Sequence, residues 1–183
     1  MYQIITTYIF VITPLIFIIF NILFNTNIIN PFSYLIISTG YISMSLLIMV
    51  LFIPLFRTIK DFFDRRIFGL SAFSYTLVHL LLYIVDNNIS LKYLYADLSR
   101  LLYIQVGYIA FLLFLPLVFT STIKARLALK SNWFKIHRLI YIIIPLSFIH
   151  YYLIIKADYL LFFIYLIMFI LILILKKRII SNE

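Results

Sequence analysis

Apolar residues fall along this chain in long uncharged blocks, with no alternation and no narrow stripe. The first charged residue is Arg57. Two apolar stretches precede it, residues 8–24 and 32–56, separated by the polar turn Asn25-Thr26-Asn27-Ile28-Ile29-Asn30-Pro31. Further uncharged runs cover 67–85, 101–123, 139–155 and 159–175, and these four hold 17 to 23 residues each. A helix needs about 20 residues to cross a hydrocarbon core of ~30 Å. Barrel strands would instead alternate apolar and polar over about ten residues. The abundance of Ile, Phe and Tyr does not argue for strands, because lipid leaves only helices and closed barrels as spanning structures. The pattern predicts an all-α integral membrane protein, a bundle of six transmembrane helices forming a single domain over residues 1–183.

Composition agrees and removes other classes. Of 183 residues, 66% are hydrophobic and 11% charged, against about 45–50% and about 25% in soluble domains. A soluble fold of this size buries only about 70% of its unfolded surface and has no room for so much apolar area. The absence of cysteine excludes a disulfide scaffold and cysteine-ligated zinc or iron–sulfur sites. Disorder would require few apolar residues and high charge.

The net charge of +9 admits two explanations, nucleic-acid binding or cytoplasmic loops, and the positions of the charges decide between them. Arg57, Lys60, Arg65 and Arg66 follow the second span. Lys124, Arg126, Lys130, Lys135 and Arg138 follow the fourth, and Lys176, Lys177 and Arg178 follow the sixth. Twelve of the fifteen basic residues thus sit in alternate connections, as the positive-inside rule requires. Both termini are expected in the cytoplasm, with membrane lipid and not nucleic acid as the surrounding partner. The N-terminal stretch has no basic residue, so the first span is expected to remain uncleaved. The longest connections, 57–66, 86–100 and 124–138, are too short for a separate module.

Polar chemistry within the spans is scarce. No carboxylate, HExxH motif or glycine-rich phosphate loop lies in them, and no residue is nominated as catalytic. Three histidines remain. His79 stands twelve residues past Ile67, and His150 eleven past Leu139, which at 1.5 Å per residue is ~18 Å and ~17 Å deep. The two spans run in the same direction, so the imidazoles share a level on the outer side of the midplane. His137 lies ~20 Å from His150 along the fifth span, at its cytoplasmic mouth. Two neutral imidazoles at one depth on separate helices suit the axial positions of a b-type haem. The plainer alternative pairs each histidine with a Tyr or Ser on a neighbouring helix. Arg66 and Arg138 border the third and fifth spans, where pairing with haem propionates and simple snorkelling both remain open.

One segment is more specific. Trp133-Phe-Lys-Ile-His137-Arg138-Leu139-Ile-Tyr141, followed by His150-Tyr151 and Lys156, resembles the WxxxHRLxY segment and downstream histidine of the MsrQ (YedZ) family. The likeness continues through Arg65-Arg66-Ile-Phe-Gly69-Leu70, His79-Leu80, Tyr83 with Asp86, Val106-Gly107 and Thr120-Ser121-Thr122. Upstream it includes Gly40-Tyr41 and Pro54-Leu55-Phe56-Arg57. It covers about residues 38 to 156 with order and spacing preserved.

The resemblance implies a ferric-reductase-like transmembrane domain in a bacterial inner membrane, holding haem b, with FMN as a further cofactor. It implies electrons taken from the quinone pool or a flavin reductase and passed to a periplasmic, molybdopterin-containing methionine sulfoxide reductase subunit. Such a chain is the electron-transfer subunit of an oxidoreductase whose catalytic site lies on the partner. The sites implied are His79, His150 and His137 as iron ligands, with Arg66, Arg138 and Trp133 beside the cofactors.

Two departures stand out. Ser99-Arg100-Leu101-Leu102-Tyr103 replaces the family's Lys-Arg-Pro-Tyr. The position where related oxidases carry a second histidine on the third helix holds Arg65 or Arg66, so a second haem on His137 would need a non-histidine ligand or an open position. The alternatives are a ferric-reductase-like or oxidase-like cytochrome b serving another acceptor, and a small transporter or assembly factor without haem.

Overall fold

The computed structural model describes residues 2–156 and 159–181. Among them, six helices are long and apolar enough to cross a membrane, and the all-α, six-span expectation is met. The chain divides into two compact units, Met1–Ser90 and Leu91–Glu183.

In the first unit, α1 (Tyr2–Phe24) precedes α2 (Pro31–Phe52), whose start is written locally. Asn30 caps it by accepting from the Ser33 amide, and Pro31 stands at the first helical position, where its missing N–H costs nothing. Beyond α2, Ile53–Leu55 forms a 3-10 turn containing Pro54. The second span therefore ends as an α-helix at Phe52, short of the expected residue 56. The basic connection contains α3 (Arg57–Phe62) and leads to α4 (Arg65–Asp86). Asp64 caps α4 by accepting from the Arg66 and Ile67 amides. At its other end Asn88, with φ 54°, closes the helix. Its amide donates to Val85 O and that of Ile89 to Ile84 O, the pair of bonds that terminates many helices through a left-handed residue.

α2 is the most enclosed element of this unit, with half of its apolar window buried against 17% for α1 and α4. Met44, Leu46, Leu47, Ile48, Val50 and Leu51 are buried on it. Its principal partner is α4, and small polar groups tie the two together. Ser43 donates to Ala72 O at 3.0 Å, and its oxygen lies 2.6 Å from that of Thr76. Tyr75 crosses to α1, donating to Val11 O at 2.8 Å. Helices in lipid associate through close packing and such bonds, because lipid supplies no hydrophobic drive between them.

The start of α1 docks on the basic connection. Gln3 Nε2 donates to Lys60 O and Phe63 O, Thr6 to Phe62 O, and the Asp64 amide to Thr7 Oγ1. The helix begins at Tyr2 and not at residue 8, because its first polar residues have partners there. The N-terminal end and the Arg57–Arg66 connection thus share one end of this unit.

The second unit opens with α5 (Leu91–Arg100), inside a stretch expected to be a loop. None of its residues is buried. α6 (Leu102–Phe119) is followed by α7 (Ile123–Leu129), α8 (Ser131–His137), α9 (Ile140–Ile154) and α10 (Tyr159–Ser181). The expected span 101–123 is cut at Phe119. Thr122 takes an extended conformation and caps α7 by accepting from the Ala125 amide. The expected loop 124–138 is in fact two short helices joined at Lys130, which has φ 49°. α10 continues past residue 175 to Ser181. α6 pairs chiefly with α9, and Ile143, Ile144, Phe114 and Phe148 are buried. Lys176 of α10 donates to the hydroxyl of Tyr141 in α9 and lies over its ring. The C-terminal half-turns of α10 and the basic α7–α8 connection therefore share an end.

Candidate functional site

Each unit sets one histidine against a neighbouring helix in the same way. In the first, His79 on α4 has Nδ1 2.7 Å from Ile36 O on α2. In the second, His150 on α9 has Nδ1 2.7 Å from Tyr103 O on α6. A carbonyl only accepts, so in both rings Nδ1 carries the proton, and a neutral imidazole then has its lone pair on Nε2. The anchoring of one nitrogen to a carbonyl fixes the tautomer and orientation a metal-ligating histidine needs. At Nδ1 the partner of each ring is a main-chain carbonyl, a group that the plainer sequence reading, with its tyrosine or serine side chains, did not consider.

A glycine stands one turn beyond each acceptor, on the same helix face. A Cβ on Gly40 would lie 3.3 Å from both Cε1 and Nδ1 of His79. On Gly107 it would lie 2.8 Å from Nδ1 and 2.9 Å from Cε1 of His150. The chain has three glycines, and these two are pressed against the intramembrane histidines. The third, Gly69, would meet only Val50 at 3.9 Å. The sequence reading noted Gly40 and Gly107 as part of a resemblance but gave them no role. Their scarcity in long apolar runs was the available signal.

His137 is held differently. Its ring stacks on Trp133, with centroids 3.9 Å apart and planes 25° apart. Thr120 donates its hydroxyl hydrogen to Pro116 O at 2.6 Å, so at 3.1 Å it accepts from His137 Nε2. The proton on this ring therefore sits on the opposite nitrogen from those of His79 and His150. Trp133 Nε1 donates to Thr120 O at 2.9 Å, and the Arg126 guanidinium lies 5.1 Å from the indole centroid. Thr120 and Arg126 were not singled out for this cluster from the sequence.

Arg66 and Arg138 are exposed. Arg66 lies in the first turn of α4, ~20 Å along that helix from His79. Arg138 caps the end of α8, ~18 Å of helical rise from His150. Trp133 and His137 are brought together, whereas Arg66 lies far along α4 from His79. Arg138 lies before the start of α9, and His150 stands ten residues past Ile140, where that helix begins.

Comparison with known proteins accords with this geometry. The model of the ferric reductase like transmembrane component matches residues 39–148. A protein-methionine-sulfoxide reductase heme-binding subunit MsrQ from Caulobacter vibrioides is 37% identical over 136 residues, covering 71% of this chain and 65% of its own length. MsrQ of Rhizobium meliloti is 37% identical over 51% of the chain and 44% of its own length. MsrQ of Rhodospirillum rubrum is 43% identical over 51% and 46%. The chain thus spans under two thirds of the first relative and under half of the other two. No solved structure matches. The MsrQ resemblance read from the residues is borne out.

Proposed function

The chain belongs to the family of ferric reductase like transmembrane components, and from that premise we propose that it is the haem-binding membrane subunit of a protein-methionine-sulfoxide reductase. The observation that carries this reading is the pair of imidazoles, each with Nδ1 anchored 2.7 Å from a main-chain carbonyl. That donor set fits haem b, whose iron takes a neutral nitrogen on each face. When bound, haem supplies a one-electron ferric/ferrous couple. His79 and His150 would hold the iron by Nε2, and the bond at Nδ1 keeps each ring from rotating. Counted along the sequence, His79 stands twelve residues past Ile67 and His150 eleven past Leu139. These like counts support assigning them to one haem and treating residues 1–183 as one working domain.

His137, Trp133 and Thr120 form the donor side in this reading. Arg126 and Arg138 in the second unit, and Arg66 in the first, each offer a cation to an anionic donor, to haem propionates or to the phosphate of FMN. A second haem on His137 would require that ring to release its Nε2 hydrogen from Thr120. Both termini lie in the cytoplasm of a bacterial inner membrane, a topology supported by the basic connections and by the docking of Gln3, Thr6 and Thr7 on one of them. Quinol or a flavin reductase supplies electrons on this side. A periplasmic, molybdopterin-containing catalytic subunit receives them and reverses methionine oxidation, which otherwise leaves a polar sulfoxide in place of an apolar side chain.

Membrane vesicles containing the full chain test the reading. A quinol should reduce their haem, and reoxidation should require the catalytic subunit and a methionine sulfoxide together. Reoxidation by ferric chelate or oxygen, with no effect of the sulfoxide, would favour a ferric-reductase-like or oxidase-like cytochrome. Absence of a Soret band despite haem supply would favour a transporter or assembly factor.

A further inference from the structure

We propose that Gly40 and Gly107 are positioning residues for the two intramembrane imidazoles, acting by the absence of a side chain. The proposal rests on the reading of His79 and His150 as haem ligands and deepens it.

The chemistry follows from contact distances. For Nδ1 to reach a helix carbonyl sideways, the imidazole must lie almost on the backbone of that helix. A side chain one turn beyond the acceptor, on the same face, would fill that space. At Gly107 a Cβ would stand 2.8 Å from the donor nitrogen itself, well inside contact distance. The ring would have to swing away, and the 2.7 Å bond to Tyr103 O would be lost with it. At Gly40 the same Cβ would stand at 3.3 Å, a conflict that a few tenths of an ångström relieve, so the bond to Ile36 O would lengthen but survive. Gly69 faces no ring and serves as an internal control.

A glycine inside a helix costs about 1 kcal/mol relative to alanine. Two of the three in this chain occupy the positions where alanine would collide with a histidine. A general packing role accounts less well for this placement, since Gly69, on α4 itself, approaches its neighbour only to ordinary van der Waals distance.

Losing the Nδ1 bond has a defined consequence. A carbonyl acceptor raises the basicity of the ligating nitrogen, which favours the ferric iron. Its loss should raise the midpoint potential, loosen ring orientation and weaken haem retention. Removal of such outer partners typically costs about 10- to 100-fold in metal affinity.

The experiment compares Gly107→Ala, Gly40→Ala, Gly69→Ala, His79→Ala and His150→Ala in the full chain purified in detergent. It measures haem per polypeptide, the ferric low-spin EPR signal and the midpoint potential. Gly107→Ala should retain haem about 10-fold less tightly, with a shifted EPR signal and a higher potential in the fraction that remains loaded. Gly40→Ala should keep its haem but shift the EPR signal and potential in the same direction by less, and Gly69→Ala should match the wild type. If Gly107→Ala does not accumulate, Gly40→Ala decides alone, and a wild-type EPR signal and potential there would overturn the proposal. Wild-type behaviour of both glycine variants, with the low-spin signal lost in His79→Ala and His150→Ala, would overturn the positioning role and leave the ligand assignment standing. An intact low-spin signal in both histidine variants would remove the ligand assignment, and this inference with it.

Discussion

Trp133 and His137 are stacked at 3.9 Å between ring centroids, and both rings are fastened to Thr120, one through its carbonyl and one through its hydroxyl. Thr120 is the residue at which α6 ends, so one short stack clamps the end of a membrane span to the basic helix α8. That clamp, and not the bundle interior, surrounds the third histidine.

Trp133→Leu removes the stack and the bond to Thr120 O. Neutral hydrogen bonds contribute about 1 kcal/mol net, and aromatic pairs about 0.5–1.5 kcal/mol beyond their burial. The α7–α8 connection should open locally, seen as faster hydrogen exchange and proteolysis over residues 120–139, while the low-spin haem signal is retained. Unchanged exchange in this segment would contradict the clamp.

Thr120→Val keeps the shape of the residue but leaves His137 Nε2–H without its acceptor. A donor left unsatisfied costs about 1–3 kcal/mol. The same segment should loosen to a similar degree, and Thr120→Ser, which restores the hydroxyl, should recover it. Equal protection in the valine and serine variants would show that the hydroxyl is not the anchor.

The opposite tautomers of the histidines predict unequal spectra. His79→Ala and His150→Ala should each convert the low-spin haem signal to high-spin or abolish it. His137→Ala, whose Nε2 hydrogen is committed to Thr120, should leave that signal largely intact and slow reduction by the donor. Reduced-minus-oxidised spectra with haem quantified per polypeptide check this, and equal loss in all three variants would sink the assignment.

Topology is tested by labelling. The start of α1 docks on the Arg57–Arg66 connection, and α10 meets Tyr141 beside the α7–α8 connection, so within each unit the chain end and the basic connection lie together. With basic connections in the cytoplasm, Ser90→Cys should react with an impermeant thiol reagent from outside, and Ser131→Cys only after permeabilisation. The reverse pattern would invert the assignment of sides.

Two backbone positions carry strain that can be removed. Ile89 has φ 55° and Lys130 φ 49°, a region costly for side chains with a Cβ and most costly for β-branched ones. Ile89 is 67% exposed, so Ile89→Gly sacrifices little burial. Each glycine substitution should stabilise the protein by up to about 1 kcal/mol, measured as a higher melting temperature in detergent. A lower melting temperature for Lys130→Gly would mean that the lysine side chain matters more than its backbone angle.

The number and type of the spans were legible because the bilayer imposes one requirement that composition alone can meet: about 20 apolar residues whose backbone bonds close within the helix. The clustering of basic residues in alternate connections was legible too, since it can be counted directly along the chain. The short helices were not. Leu91–Arg100 mixes Lys92, Asp97 and Arg100 with its leucines and tyrosines, which in an apolar chain resembles a connection. The expected span 101–123 ran past Thr120 because Thr122 serves as a helix cap only through the extended backbone it adopts.

What the sequence determined by itself was therefore the six membrane spans, the basic connections and the presence of three histidines in a chain poor in other chemistry. Tertiary structure decided which nitrogen of each ring holds the proton and what stands against it. The acceptors for His79 and His150 are main-chain carbonyls, a group every residue carries, and they lie 43 and 47 residues away. The repeated device has unequal spacing and no residue identity at its acceptor, so no periodicity in the letters marks it. Only the packing of α4 on α2 and of α9 on α6 brings a ring onto a glycine, and only that contact gives those two glycines their role.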